Sequence, residues 1–218
     1  LVIGLLLGLM YFLFTPPFQS PDEFNHFYRA YRISEGDFLP VKQGQRLGGK
    51  LPESFLEFIT PYDEISVESK NKISKQEILQ GFDIEFKSEE TDFVDFPNTS
   101  YYSVISYLPQ VSAIFICKHL NTSVGTMYYS AKLFTFLIWL LIVFYCIKII
   151  PVGKWMLFCI SLLPMQLYIS SSLSADTVTN QLCFLIIAFV MRLAVESDSV
   201  QNKDVLKLII LSSLLALA

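Results

Sequence analysis

Residues 128–150 read YYSAKLFTFLIWLLIVFYCIKII. Lys132 and Lys148 carry the charge in a run otherwise built of aromatic and long aliphatic residues. Its length matches the roughly 20 apolar residues that carry a helix across a bilayer's hydrocarbon layer. In that layer no water can satisfy backbone N–H and C=O groups, so a single apolar run of this kind must be helical. Similar runs follow it. Residues 155–172 form a span interrupted by Pro164, residues 178–195 a span with Gln181 near its start, and residues 205–218 the beginning of another. Residues 1–14 are apolar throughout. No Lys or Arg precedes that first run, and Thr15-Pro16-Pro17-Phe18 offers no small-x-small cleavage site, so a truncated first span is expected rather than a signal peptide.

Composition agrees with a bilayer as part of the solvent. Hydrophobic residues make up 53% of the 218 positions, more than a water-soluble domain of this length usually carries. Charge is segregated: residues 15–100 hold 16 of the 20 acids and 9 of the 16 bases, a net of −7, while the remainder nets +3. An acidic, water-facing region is thereby set apart from apolar segments with basic flanks. No basic patch supports nucleic-acid binding. Cys117, Cys146, Cys159 and Cys183 all lie in apolar segments without a CxxC pair and read as small core hydrophobes.

These features predict an all-α multi-spanning membrane protein, a fragment of a longer chain. Residues 15–127 form a large first extracytoplasmic loop with juxtamembrane helices near 21–33 and 100–120. Residues 128–218 form the transmembrane bundle. Tyr101, Tyr102, Tyr107 and Pro109 mark 100–120 as an interfacial helix that does not cross. Lys148 and Lys154 flank the turn at Pro151-Val152-Gly153, and Arg192, Lys203 and Lys207 flank the turn after 178–195; basic residues beside short loops favour the cytoplasm. Asp83 and Ser172 are then outside, Gly153 and Ser199 inside. Residues 36–62, punctuated by Pro40, Gly44, Gly48-Gly49, Pro52 and Pro61, are expected as loop with short helical turns. The charged stretch 69–86 reads equally as a short helix or a strand pair.

The stretch Ser20-Pro21-Asp22-Glu23-Phe24-Asn25-His26-Phe27-Tyr28-Arg29-Ala30-Tyr31-Arg32 carries the densest chemistry. Ser20 as N-cap, Pro21 as first helical residue and Glu23 three positions after the cap make a capping box. Phe24, Phe27, Tyr28 and Tyr31 recur at helical spacing and form an aromatic face directed to lipid or the spans. Asp22, His26 and Arg29 share another face. Glu23 is accounted for by the cap, and Asp22 is favoured near the helix dipole but has no other local duty. His26, without an HExxH motif or a cysteine partner, reads as a hydrogen-bonding histidine. Farther on, Pro164 and the serine-rich turn Ser170-Ser171-Ser172-Leu173-Ser174-Ala175 lead to Asp176. That acid either caps the next helix or, at membrane depth, carries function.

Pro17-Phe18-Gln19-Ser20-Pro21-Asp22-Glu23, His26-Phe27-Tyr28-Arg29-Ala30-Tyr31, Tyr107-Leu108-Pro109-Gln110, Leu163-Pro164-Met165 and Ser172-Leu173-Ser174-Ala175-Asp176, in this order, resemble a bacterial multi-spanning membrane family known as DUF2142. Phe24-Asn25 stands where many relatives have Pro-Ala, and Lys132 where Arg is common. That family resembles the GT-C membrane glycosyltransferases, whose first outer loop carries an Asp-Glu pair followed by juxtamembrane helices. The resemblance implies a GT-C-like helical bundle in a bacterial cell membrane. It implies transfer of a sugar from a polyprenyl-phosphate donor to a cell-envelope polysaccharide or related glycan acceptor on the outer face. Asp22, Glu23 and Asp176 are then candidate catalytic residues, with Asp22 the base. His26, Arg29, Arg32, Tyr101 and Tyr102 are candidates for binding substrate, the two guanidinium groups toward phosphate. Asp176 either positions the acceptor or binds a divalent cation. A non-catalytic assembly protein, or a transporter or flippase of polysaccharide precursors, remains the alternative. A transporter needs polar groups deep in several spans, where Gln166 and Gln181 qualify.

Overall fold

The computed structural model describes residues 1–67, 72–196 and 199–218. Its longest element is α6, Val124–Ile149. At 1.5 Å per residue this helix is about 39 Å long, longer than the roughly 30 Å hydrocarbon layer of a bilayer, and its first turns are the less apolar part of it. Those turns begin four residues earlier than the apolar run suggests, because the chain supplies partners for them. The Ser123 hydroxyl caps the helix by accepting from Thr126 N–H at 3.3 Å. Val124 N–H donates to the Ile84 carbonyl and Gly125 N–H to the Gly81 carbonyl, both at 3.0 Å, which satisfies donors a helix start leaves orphaned. Position 125 has to be glycine for that contact: a Cβ there would lie 2.5 Å from the Gly81 oxygen.

Residues 15–123 fold as a unit on these turns. Helix α2, Glu23–Ser34, is followed by β1, Val41–Gln43, and β2, Arg46–Pro52, then α3, Glu53–Val67, α4, Lys75–Gln80, and β3, Thr91–Asp95. The strands make an antiparallel sheet in the order β1-β2-β3, with Val41 opposite Gly48 and Gly48 opposite Asp95. The chain is mostly helical as expected, but it is not all-α, and 36–62, expected as loop with short helical turns, instead holds two strands and most of α3. Gly44, at φ 64°, is the first residue of the two-residue turn between Gln43 and Arg46, and that conformation lets the chain reverse directly into a hairpin. Of the stretch 69–86, residues 69–71 lie outside the described residues, and residues 75–80 are helical rather than strand. A 3-10 turn, Val104–Tyr107, leads into α5, Leu108–His119. The rings expected to face lipid or the spans pack chiefly inside this unit: Phe27 stacks on Phe55 at 4.7 Å, Tyr28 meets Phe96 and Tyr31 meets Phe55. Phe27 also meets Tyr128 of α6.

A second core lies along the rest of α6. Phe136, Trp139, Leu140 and Val143 are buried there against Leu157, Leu167, Phe184 and Ala188. Around it stand α1, Val2–Phe14; α7, Lys154–Ser161; α8, Pro164–Ser170; α9, Asp176–Glu196; and α10, Asn202–Leu217. Among the described residues, α6 and α9 are the helices long and apolar enough to cross a membrane individually. The expected span 155–172 is two short helices. Pro164 has no N–H to continue α7 and holds Leu163 at ψ 137°, outside the helical region, before opening α8.

Candidate functional site

Segments singled out by sequence, up to 150 residues apart, meet at the start of α2, where Glu23 reaches Tyr128 of α6 and Leu173 before α9. Helix α2 starts at Glu23, and its N-cap is Asp22, not Ser20. Half of the expected capping box is present, since Ser20 N–H donates to Glu23 Oε2 at 3.3 Å. The other carboxylate oxygen has longer-range duties. Glu23 Oε1 accepts from the Tyr128 hydroxyl at 2.9 Å and from the Leu173 N–H at 3.0 Å, and it lies 3.9 Å from Lys132 Nζ. Glu23 has no exposed surface. It therefore ties α2, α6 and the turn before α9 together, a geometry that a neutral Gln would preserve only in part.

Asp22 is placed oppositely. Its backbone sits at φ 54°, ψ 18°, the left-handed region that Asp and Asn tolerate better than other side chains. This bend turns Asp22 out to solvent while Glu23 points inward. Asp22 Oδ1 accepts from Asn25 Nδ2 at 3.3 Å and Asn98 Nδ2 at 3.0 Å, two amides that orient the carboxylate without neutralising it. Asp176, the first residue of α9, is likewise exposed. Its N–H donates to Ser174 Oγ at 3.2 Å, and its carboxylate makes no hydrogen bond or ion pair among the described residues.

His26 sits behind both acids. Its Nδ1 is 2.7 Å from the Tyr107 hydroxyl, and its ring lies 5.9 Å from that of Tyr102. Burial pushes the imidazole down from 6.5 to about 4, opposed by the negative fields of Asp176 and Asp22. Both exposed carboxylates thus act on one neutral histidine. Burial also raises the Tyr107 hydroxyl well above its ordinary range. The neighbouring Gln110 donates from Nε2 to the Ser174 carbonyl at 3.3 Å, fastening α5 to the serine-rich turn that presents Asp176.

The two arginines occupy structural positions. Arg29 is buried, with Nε and Nη2 donating to the Tyr102 carbonyl at 3.1 and 2.8 Å, Nη2 also to Phe38 O at 2.8 Å and Nη1 to Asp37 O at 3.4 Å. Arg32 pairs with Asp37 at 2.6 Å and donates to the Lys50 carbonyl at 3.0 Å. Tyr101 and Tyr102 are on the surface, Tyr102 beside His26. Sequence reasoning did not single out Asn98, Tyr128 or the role of Tyr107. Lys132 was visible as a charge inside an apolar run, the kind of residue that in a membrane segment marks an internal partner.

A family described as "Predicted membrane protein (DUF2142)" matches residues 5–218, and the chain belongs to that family. No curated protein and no solved structure matches it.

Proposed function

We propose that this DUF2142 member is a multi-spanning membrane glycosyltransferase of GT-C-like architecture. It moves a sugar from a polyprenyl-phosphate donor to a cell-envelope polysaccharide or related acceptor on the outer face of the membrane. The observation that carries this reading is the pair of exposed carboxylates, Asp22 and Asp176, at the junction of the loop unit and the apolar helices. There a lipid-anchored phosphate and a water-borne hydroxyl can meet. The acidic unit 15–127 faces outward, with α1, the α7–α8 pair and α10 joining α6 and α9 as spans.

Asp22 is the base in this scheme. It takes the proton of an acceptor hydroxyl as that oxygen bonds to the anomeric carbon and the carbon–oxygen bond to phosphate breaks, releasing polyprenyl phosphate. Asn25 and Asn98 orient the carboxylate, and Glu23 positions Asp22 by anchoring the first turn of α2 from within. Asp176 positions the acceptor or, with donor phosphate oxygens, holds a divalent cation. His26 and Tyr102 line the approach, with Tyr101 on the same loop. Arg29 and Arg32 spend their donors on carbonyls and Asp37, so they brace this wall instead of meeting the phosphate. The test is transfer from a labelled polyprenyl-phosphate sugar in membranes, normalised to full-length protein. Asp22→Asn is expected to abolish it, and normal transfer by both Asp22→Asn and Asp176→Asn reduces the chain to an assembly or transport role.

A further inference from the structure

At the other end of the apolar helices a groove of about 320 Å³ opens between α6, α9 and α10. Ile149, Leu185, Phe189 and Ile210 supply its apolar walls, and Arg192 and Lys207 stand on its lining. Lys207 Nζ lies 5.6 Å over the Phe189 ring, a position that keeps the ammonium at the groove. Arg192 gives its Nε to Glu196 at 3.2 Å, and its two terminal nitrogens have no partner among the described residues. Two cations over a hydrocarbon-lined slot in a membrane protein complement an amphiphile with an anionic head and an apolar chain.

We infer that this groove binds an anionic phospholipid, with an acyl chain against Ile149, Leu185, Phe189 and Ile210 and the phosphate between Arg192 and Lys207. A polyprenyl phosphate engaged at Asp176 cannot be the same molecule held by its phosphate here. Arg192 follows Asp176 on one helix by about 24 Å at 1.5 Å per residue. The inference is independent of sugar transfer.

Native mass spectrometry of the full-length protein in detergent tests it, with phosphatidylglycerol, phosphatidylcholine and undecaprenyl phosphate as probes. Phosphatidylglycerol should be retained over phosphatidylcholine by about 25-fold, about fivefold for each base near a headgroup, and salt should reduce that preference. The Arg192→Gln/Lys207→Gln double variant should lose the preference. Lys148→Gln, which removes a nearby exposed charge outside the groove lining, should keep it. Equal retention of the two phospholipids by the unaltered protein overturns the inference, as does a preference that survives the double variant or falls equally in Lys148→Gln. Displacement of phosphatidylglycerol by equimolar undecaprenyl phosphate also overturns it, by assigning the groove to the other lipid.

Discussion

The carboxylate of Glu23 and the ammonium of Lys132 face each other at 3.9 Å, and neither residue has exposed surface. The spacing exceeds hydrogen-bond range, and Lys132 Nζ has no hydrogen-bond partner among the described residues; it is surrounded by the rings of Phe12, Tyr128 and Tyr129 at 5.3 to 5.8 Å. Charge attraction and the faces of three rings hold the lysine where water would otherwise be needed.

Removing one partner of a buried pair leaves the other charge uncompensated, typically at about 3 to 5 kcal/mol. Glu23→Gln and Lys132→Met singly should each lower folded, detergent-stable protein by that order. The double variant should recover much of the loss. Thermal unfolding of the purified variants measures it, and additive losses would show that the two residues are not coupled.

The placement of His26 gives a pH dependence of definite sign. Its folded pKa of about 4 lies below the ordinary 6.5 because burial disfavours the cation. The unfolded chain therefore binds the proton first as pH falls. The stability contributed by neutral His26 is fully present above pH 6.5 and is lost progressively down to about pH 4, a change of about 3 kcal/mol. His26→Gln should flatten that part of the acid-unfolding profile. A profile unchanged by the substitution would show that other groups produce the acid loss.

Sequence made the helices over 128–150 and 178–195 plain, within a few residues of α6 and α9, because an apolar run of that length has few alternatives. It also singled out Asp22, Glu23 and His26 as candidates. It did not separate the inward Glu23 from the outward Asp22, since that depends on a left-handed backbone at Asp22, and capping-box spacing implies an ordinary helix start two residues earlier. The fold of 41–67 was missed for another reason. Phe55, Phe58, Ile59 and Tyr62 are all buried at i, i+3, i+4 and i+7 in α3, a legible helical face, but Pro61 within it and the glycines before it read as loop punctuation. The convergence of Glu23 on Leu173 is a tertiary fact with no local signal.

The proposed topology makes a labelling prediction. Cysteine at exposed Asp83 should react with an impermeant maleimide in intact cells, and cysteine at exposed Val152 should react only after permeabilisation, both in a background free of native cysteines. Val152 is preferable to Gly153, whose φ of 74° a cysteine would strain. Labelling of Val152→Cys from outside would reverse the arrangement.

The sharpest prediction uses the backbone at Asp22 to separate charge from shape. Asn adopts the left-handed conformation about as readily as Asp and can keep an amide oxygen toward Asn25 and Asn98, so Asp22→Asn removes the base while leaving the backbone turn into α2 in place. Ala disfavours that conformation by roughly 1 to 2 kcal/mol, so Asp22→Ala adds backbone strain to the loss of charge. If Asp22 is the base, Asn and Ala should both reduce sugar transfer by about 10² to 10⁴, and Ala alone should also lower thermal stability. If Asp22 serves only the left-handed turn into α2, Asn should retain near-normal transfer and Ala should lose transfer only in proportion to folded protein. Asp176→Asn, measured across a titration of divalent cation, completes the comparison. A loss reversed by excess metal assigns Asp176 to a cation, whereas a raised acceptor KM insensitive to metal assigns it to the acceptor.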